Sequence, residues 1–130
     1  MMEEVRFPVE MVRGTPVVVA PEEIDITNAP RLRAALLDAA SRRRRIVVVD
    51  MSRTRFCDTA GLHALVGAHR RAQAEGGRVL LVVAANAVLR ILAITGIDLV
   101  LAHFPSLDEA LAAASSAADA DAGARSKCAD

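Results

Sequence analysis

The feature that most constrains the fold is a run of β-branched residues that leads, through a polar turn, into a helical pattern. Residues 46–49 read Ile-Val-Val-Val, and a continuous apolar run of this kind is typical of a strand that is covered on both faces. After the turn, the i, i+3, i+4, i+7 spacing of one helix face brings together Leu62, Leu65, Val66 and His69. The sequence therefore predicts a buried strand, a turn and an amphipathic helix in direct succession.

The segments before this unit predict a hairpin and a first helix. Residues 5–9 and 17–20 have strand patterns, with a turn at residues 14–16 between them. Pro8 indicates that the first strand lies at a sheet edge, because proline cannot donate to a ladder. In the helix that follows, Pro30 lies in the first turn, where its missing N–H costs nothing. Its predicted cap is Thr27 or Asn28, and its predicted apolar face is Leu32, Leu36, Leu37 and Ala40.

The segments after the central unit continue the alternation. Residues 79–83 predict another strand, and Asn86 is positioned to cap a short helix that Gly96 ends. Residues 97–102 hold a last short apolar segment. Residues 106–109, Ser-Leu-Asp-Glu, have the spacing of a capping box and predict the start of a final helix.

Taken together, the patterns predict an α/β fold in the order ββαβαβαβα. Alternating strands and helices favour parallel pairing with right-handed crossovers, so we expect a mixed sheet of about five strands with about four helices. The length of 130 residues fits one domain, which we place at residues 1–115. Residues 116–130 are mostly Ala, Ser, Asp and Gly with no large apolar residue, so we expect a disordered tail.

Composition argues against several classes of function. The 16 basic and 16 acidic residues cancel, so no global field attracts nucleic acid or an anionic membrane. The chain has no Trp or Tyr and only three Phe, which disfavours binding by base stacking. No apolar run approaches the roughly 18 residues of a membrane span, and the N-terminus lacks the apolar core of a signal peptide. We therefore expect a cytoplasmic protein with no nucleic-acid or membrane partner.

Signatures of catalysis and of metal binding are lacking in the sequence. No glycine-rich dinucleotide or nucleoside-triphosphate loop is present, and the spacing of Cys57, His63 and His69 matches no metal site. Cys57 lies just before a predicted helix, which lowers a thiol pKa, while Asp58 raises it; a structural cysteine is favoured over a reactive one. The arginine block 42–45 is better explained as a solvated helix end than as a phosphate site. The chain is thus predicted to be no enzyme and to hold no metal or cofactor.

The pair Asp58-Thr59 at the start of the central helix has two interpretations. The simpler one is a helix cap, because either side chain can accept a hydrogen bond from the exposed N–H groups of the first turn. The functional one adds that a Thr hydroxyl at a helix start is accessible to a kinase. A phosphate would bring nearly two negative charges beside Asp58, which the helix dipole tolerates but an acidic partner would not. Such a site can switch binding without refolding the domain.

At this point three segments resemble one family, the STAS-domain anti-sigma factor antagonists of bacteria. Residues 47–82 resemble its strand, its Asp-Ser-x-Gly-Leu phosphorylation motif and the helix that follows. Residues 21–40 are similar to its Gly-Glu-Leu-Asp turn and first helix, and residues 86–113 to its closing elements. The resemblance covers about residues 5–114, in the right order. It implies the fold predicted above.

The resemblance also implies a mechanism, known as partner switching. The unphosphorylated antagonist binds an anti-sigma factor that is also a serine kinase, and the sigma factor is freed to regulate transcription. The kinase phosphorylates the antagonist and breaks the complex, and a metal-dependent serine phosphatase reverses the modification. ATP and Mg²⁺ belong to those partners. We expect this chain to be a monomer in isolation, with a dimer as the alternative.

Carried over by position, the resemblance makes Thr59 the phosphoacceptor and Asp58 its acidic neighbour. The predicted partner-binding residues are Asp25, Asn28, Asp58, Thr59, Ala60, Gly61 and Leu62, with Asn28 included only for its proximity to Asp25. The chain departs from the pattern in two places. Thr59 stands where Ser is typical, and Glu22 stands where the family has Gly. The alternative function is a STAS scaffold module, without phosphorylation, in a signalling assembly or a transport system.

Overall fold

The structure is a computed structural model and describes residues 6–42 and 45–116. The elements in chain order are β1 (Val9–Val12), β2 (Thr15–Val19), β3 (Glu23–Ile24), α1 (Ala29–Ser41), β4 (Ile46–Met51), β5 (Phe56–Cys57), α2 (Thr59–Ala74), β6 (Arg78–Val83), α3 (Asn86–Thr95), β7 (Ala102–Phe104) and α4 (107–116). Residue 116 is still helical, one residue past the predicted domain boundary. The rest of the predicted tail lies outside the described residues, and the boundary stays a prediction.

Five strands form one mixed sheet in the order β1-β2-β4-β6-β7. The pair β1–β2 is antiparallel, and the other three pairs are parallel. This confirms the predicted α/β fold, with five main strands, four helices and the order ββαβαβαβα. The sequence patterns missed a second sheet of two short strands, β3 and β5, which pair in parallel. Each has only two residues, too few to show a periodicity.

Alternate residues of the central strand β4 pack into two different cores. Val47 and Val49 face the core beneath α1, α2 and α3. Ile46 and Val48 face a second core, which α4 covers with Ala110, Leu111 and Ala114. Because both faces are covered, residues 46–49 are all buried, as the continuous β-branched run predicts.

The opening hairpin is confirmed, but its turn was predicted about one residue too late in the chain. The loop between β1 and β2 consists of Arg13 and Gly14, because Val12 pairs with Thr15. Both loop residues have positive φ, 51° and 77°, the geometry of a type I′ turn that matches the strand twist. β1 lies at the sheet edge as predicted but begins only at Val9.

Several helix details differ from the prediction. In α1 the residues Leu37 and Ala40 are exposed, and Ala35 and Ala39 take their places on the buried face. α3 already includes Asn86, so the backbone of Ala85 occupies the cap position. A 3₁₀ turn occupies residues 97–99, and β7 starts only at residue 102.

The predicted helix ends at Gly96 and Ser106 are confirmed. Gly96 adopts φ 77° and closes α3. The N–H of Glu109 donates to Oγ of Ser106 at 3.2 Å, which caps α4.

The end of α2 confirms the predicted glycine stop and gives it a reason. Gly76 adopts φ 81°, which favours glycine. Gly77 passes so close to Arg45, the residue before β4, that a Cβ at position 77 would collide with the carbonyl oxygen of Arg45. The N–H of Arg78 donates to the same oxygen at 2.9 Å. This contact sets the start of β6 alongside β4.

One histidine is part of the core and makes stability depend on pH. His69 is 3% exposed, and its Nδ1 accepts a hydrogen bond from the N–H of Val79 at 3.1 Å. Burial, and secondarily the charge of Arg78, lower the pKa of His69 below its ordinary 6.5. The unfolded chain therefore takes up a proton more readily than the folded one. Stability should fall as the pH drops through about 6.5 and continue to fall until the lower pKa of the folded state is passed.

We expect urea titrations to give a lower free energy of unfolding at pH 5.5 than at pH 7.5, a range in which histidine is the main titrating side chain. A His69→Gln variant should be less stable at both pH values and lose most of the difference between them. His63→Gln, at an exposed position of the same helix, should keep the full difference. An unchanged pH dependence in His69→Gln would show that another group causes it.

Candidate functional site

The carboxylate of Asp58 caps α2. Asp58 has an extended backbone and is the N-cap residue. Its Oδ1 accepts from the N–H of Ala60 at 3.0 Å and from that of Gly61 at 3.3 Å. Two of the N–H groups that a helix start leaves unpaired are thereby satisfied by a negative charge, which the helix dipole also favours. The simpler of the two interpretations of Asp58-Thr59 is therefore correct for Asp58.

The second oxygen of the same carboxylate binds a different part of the chain. Oδ2 of Asp58 accepts from the N–H of Ile26 at 3.1 Å, across 32 residues of sequence. Asp58 thus connects the start of α2 to the loop that leads into α1. Its carboxylate serves three backbone donors on two segments.

The loop before α1 is held by its own polar side chains. Oδ1 of Asp25 accepts from both the N–H and the hydroxyl of Thr27. These hydrogen bonds, the one from the Thr27 side chain foremost, lower the pKa of Asp25 below its ordinary 3.8, so it is a carboxylate at neutral pH. Asn28 lies at the N-cap position of α1, but its side chain does not cap the helix. Its Oδ1 accepts from the N–H of Asp25 at 2.9 Å, and its Nδ2 donates to the carbonyl of Glu23 at 2.8 Å.

The small β3–β5 sheet brings the two predicted motifs side by side. Glu23 and Ile24 are in register with Phe56 and Cys57. Just past this pairing, the N–H of Asp58 donates to the carbonyl of Ile24 at 3.0 Å. The sheet therefore explains why the loop before α1 and the start of α2 form one surface. The two separate sequence motifs did not reveal this proximity.

Further bonds hold the preceding turn in place and account for one departure from the family pattern. The N–H of Arg55 donates to the carbonyl of Glu22 at 2.7 Å, and the buried hydroxyl of Thr54 donates to the carbonyl of Pro21 at 2.7 Å. Among the described non-glycine residues only Arg13 has positive φ. The position of Glu22 therefore does not require glycine here.

The predicted partner-binding residues differ in exposure. Thr59, the first residue of α2, is exposed, and Ala60 and Asp58 are partly exposed. Gly61 and Leu62 are buried beneath them, Leu62 at 4% exposure. Asp25 is partly exposed, and Asn28 is 5% exposed. The surface that a partner can reach thus consists of Asp58, Thr59, Ala60 and Asp25, while the other three residues support it from below.

Cys57 is a core residue. It is 1% exposed, and burial, followed by the charge of Asp58, raises the pKa of its thiol to about 12. The thiol is therefore protonated at neutral pH and a poor nucleophile. A group of three or more His, Cys, Asp or Glu side chains that is suited to a metal does not occur within residues 6–42 and 45–116.

Two exposed apolar side chains beside the site were not singled out by the sequence patterns. Ile26 is 74% exposed, and Phe56 is 47% exposed. Both lie in segments whose pattern is irregular, so nothing in the sequence separates them from buried apolar residues. The only signal was their position next to the two motifs.

The chain belongs to the STAS domain family, whose match covers residues 6–110. Among solved structures, an anti-sigma factor antagonist from Mycobacterium paratuberculosis is similar, with 31% identity and a TM-score of 0.75 over 82% of this chain and 91% of that one. The resemblance to STAS-domain anti-sigma factor antagonists is thereby confirmed.

Two more distant structures show the same fold. The Bacillus cell-fate determinant SpoIIAA in its phosphorylated form is 22% identical, with a TM-score of 0.62 over 81% of this chain and 96% of that one. A sulfate transporter family protein from Wolinella succinogenes is 21% identical, with a TM-score of 0.66 over 85% and 92%. No curated protein matches the sequence significantly. In the part of the chain that the structure describes, no helix is long and apolar enough to cross a membrane.

Proposed function

We propose that this protein is an anti-sigma factor antagonist that works by partner switching. In its unphosphorylated form it binds an anti-sigma factor serine kinase, so that the sigma factor is freed for transcription. Phosphorylation of Thr59 by that kinase ends the binding, and a serine phosphatase restores it. The observation that carries this proposal is the exposed Thr59 at the first position of α2, next to a carboxylate that joins both predicted motifs.

The geometry at Thr59 suits a switch based on charge. Asp58 already occupies the N–H groups of Ala60 and Gly61. A phosphate on Thr59 would add nearly two charges to a surface that already carries Asp58 and Asp25. Within the chain the added charge faces solvent and a helix start, so the fold tolerates it. In a protein interface the same charge must be desolvated or repelled, which weakens the complex.

The remaining parts of the proposal follow from this role. The chain acts by binding and performs no catalytic step, and ATP and Mg²⁺ are bound by the kinase. It works in the cytoplasm as a monomer, with a dimer as the alternative. The proposed domain comprises residues 1–115, and α4 continues through residue 116.

The decisive experiment is a phosphorylation assay with the serine kinase encoded nearest to this gene in its genome. We expect intact mass to increase by one phosphate after incubation with Mg-ATP, and peptide mapping to place that phosphate on Thr59. Thr59→Ala should bind the kinase and remain unmodified. Thr59→Asp should fold, since an acidic residue is favoured in the first turn, and should bind at least about tenfold more weakly, a loss of about 1.4 kcal/mol.

Thr95→Ala provides a matched control. Thr95 is an exposed threonine at the far end of α3, and its hydroxyl donates to the carbonyl of Ile91 at 2.7 Å. This variant should be phosphorylated like the unmodified sequence. Phosphate on the Thr59→Ala variant would place the acceptor elsewhere and contradict the proposal.

A scaffold module is the second candidate, favoured by Thr in place of Ser at position 59 and by the fold shared with the Wolinella transporter family protein. A scaffold would bind its partner equally well with Thr59 unmodified or replaced by Asp. Equal kinase affinity of Thr59→Asp and the unmodified chain would therefore favour the scaffold.

A further inference from the structure

Large apolar side chains are exposed at several places on the described surface, and two of them belong to the two segments that meet at Asp58, next to the proposed phosphoacceptor. The full set is Met11, Ile26, Leu37, Phe56, Ile94, Leu99 and Val100. The N–H of Ile26 donates to Asp58, and Phe56 lies on the strand β5, which ends just before Asp58. An exposed apolar side chain beside a polar site is a common feature of protein interfaces.

The direction of Phe56 follows from the alternation along β5. Cys57 is 1% exposed and points toward the core, close to Ile24 and Gly61. Successive side chains of a strand point to opposite faces, so Phe56 points outward, as the following Asp58 does. Phe56 therefore points to the solvent side of β5, the same side as Asp58, the residue before Thr59.

Ile26 reaches the same site from the loop before α1. Its N–H is bound by Oδ2 of Asp58 at 3.1 Å, while the same carboxylate caps the helix that begins at Thr59. Its 74% exposure shows that its side chain packs little against the chain itself. Thr59 thus directly follows the residue that binds the Ile26 backbone, and Phe56 lies on the short strand that leads to it.

Both side chains are presented by backbone that is already fixed. The loop of Ile26 is held by Asp58 and by the bonds among Asp25, Thr27 and Asn28. The N–H of Phe56 donates to the carbonyl of Glu22 at 3.3 Å. Ordering such a surface on binding costs little conformational entropy, so that more of the contact energy contributes to affinity.

We propose that Ile26 and Phe56 are the apolar anchors with which this chain docks on its serine kinase, an inference that rests on the proposed function. A kinase that modifies Thr59 must bring its nucleotide to the hydroxyl group. The surface of the kinase around its nucleotide would then cover the residues next to Thr59, which include the segments of Ile26 and Phe56.

Charges around the site define the surface that fits. Glu22, Glu23 and Asp25 lie on β3 and beside it, in the segment that leads to Ile26, and the exposed Arg55 precedes Phe56. The matching kinase surface has an apolar hollow, basic groups beside the acidic loop and acidic or neutral groups beside Arg55. This two-signed pattern would orient the kinase on the site.

The test measures the dissociation constant for the serine kinase by titration calorimetry with Ile26→Ser and Phe56→Ser. Truncation of a central anchor costs tenfold or more in affinity, so each variant should raise the dissociation constant at least about tenfold. Ile26→Ser is the cleaner variant because its side chain is mostly exposed, and thermal unfolding should show both variants folded.

Leu99→Ser and Ile94→Ser are matched controls. Leu99 is 89% exposed and Ile94 is 78% exposed. α3 begins after the carboxyl end of β6 and runs back, so that both residues lie toward the amino ends of the strands, away from Thr59. Their dissociation constants should stay within about twofold of the unmodified chain, since residues outside the interface are energetically neutral.

The outcomes separate the two proposals. Unchanged affinity of Ile26→Ser and Phe56→Ser, with the unmodified chain still binding and phosphorylated on Thr59, would overturn the anchors and leave the proposed function intact. If the Leu99→Ser and Ile94→Ser controls lost as much affinity for the kinase as Ile26→Ser and Phe56→Ser, the proposal of anchors would also be overturned. An unmodified chain that neither binds nor is phosphorylated would overturn both proposals.

Discussion

Replacing Asp58 by alanine is expected to lower the free energy of unfolding by about 2–3 kcal/mol and to abolish measurable kinase binding. Loss of an N-cap side chain alone costs about 0.5–2 kcal/mol. The variant also loses the bond from the N–H of Ile26, which tethers the loop before α1, and a hydrogen bond to a charged group contributes about 1.5–3 kcal/mol. Because the site is partly exposed, water replaces part of the lost bonds, so we expect the total loss to be near the sum of the two lower values.

Two other variants make the Asp58 experiment specific. Asp58→Asn keeps a good cap residue but has only one acceptor oxygen, so it can serve α2 or Ile26 and should lose about half as much stability. Asp38→Ala removes an exposed carboxylate that pairs with Arg42 four residues on and should cost only a few tenths of a kcal/mol. Urea titration measures all three variants. A loss for Asp58→Ala no larger than that for Asp38→Ala would contradict a structural role for the Asp58 carboxylate.

Two glycines of α2 should respond in opposite ways to the same substitution. A Cβ at Gly61 would lie 2.6 Å from Cγ2 of Ile24 and 2.7 Å from Sγ of Cys57, so Gly61→Ala forces α2 away from the β3–β5 sheet. Overpacking of this kind costs about 1–3 kcal/mol. Alanine returns up to about 1 kcal/mol through its higher helix propensity. We expect the free energy of unfolding to fall by roughly 1–2 kcal/mol. Kinase binding should weaken as well, because the start of α2 and the loop before α1 move apart.

Gly67→Ala in the same helix is the control, because nothing lies within 4 Å of a Cβ at that position. It should gain up to about 1 kcal/mol from helix propensity alone. The two variants are compared by urea titration and by the affinity for the kinase. If Gly61→Ala is as stable as Gly67→Ala, α2 and the β3–β5 sheet are not in the close contact that holds the site together.

The main elements of the fold could be predicted because their signals are local and repeated. The β-branched residues 46–49, the helical spacing from Leu62 to His69 and the glycine stop at residues 76–77 each reflect one element and its burial. The turn at Arg13 and Gly14 was placed too late, because Gly14-Thr15-Pro16 has the composition of a turn. Pro16 is instead accommodated in β2, at a position before the pairing with β4 begins at Val17.

The candidate site was harder to predict, because it depends on contacts between distant segments. The sequence points to Asp58 and Thr59 as a cap, and the resemblance adds Asp25 and Asn28, but neither shows that one carboxylate binds both segments. A two-residue sheet leaves no periodic pattern, and Ile26 and Phe56 look like any other apolar residues. The predicted side-chain cap, Thr27 or Asn28, was wrong for both residues: the Asn28 side chain bonds within its own loop, and the Thr27 hydroxyl donates to Asp25. Which polar atoms meet is decided by tertiary geometry and not by local propensity.

The bond between Asp58 and the backbone of Ile26 has a consequence for newly made chains. The surface around Thr59 exists only when two segments 32 residues apart have come together. A chain that is still unfolded carries Thr59, the proposed phosphoacceptor, but lacks the paired surface beside it. A kinase that binds both segments would therefore distinguish folded molecules from nascent or damaged ones. Only folded molecules would then compete with the sigma factor for the anti-sigma factor.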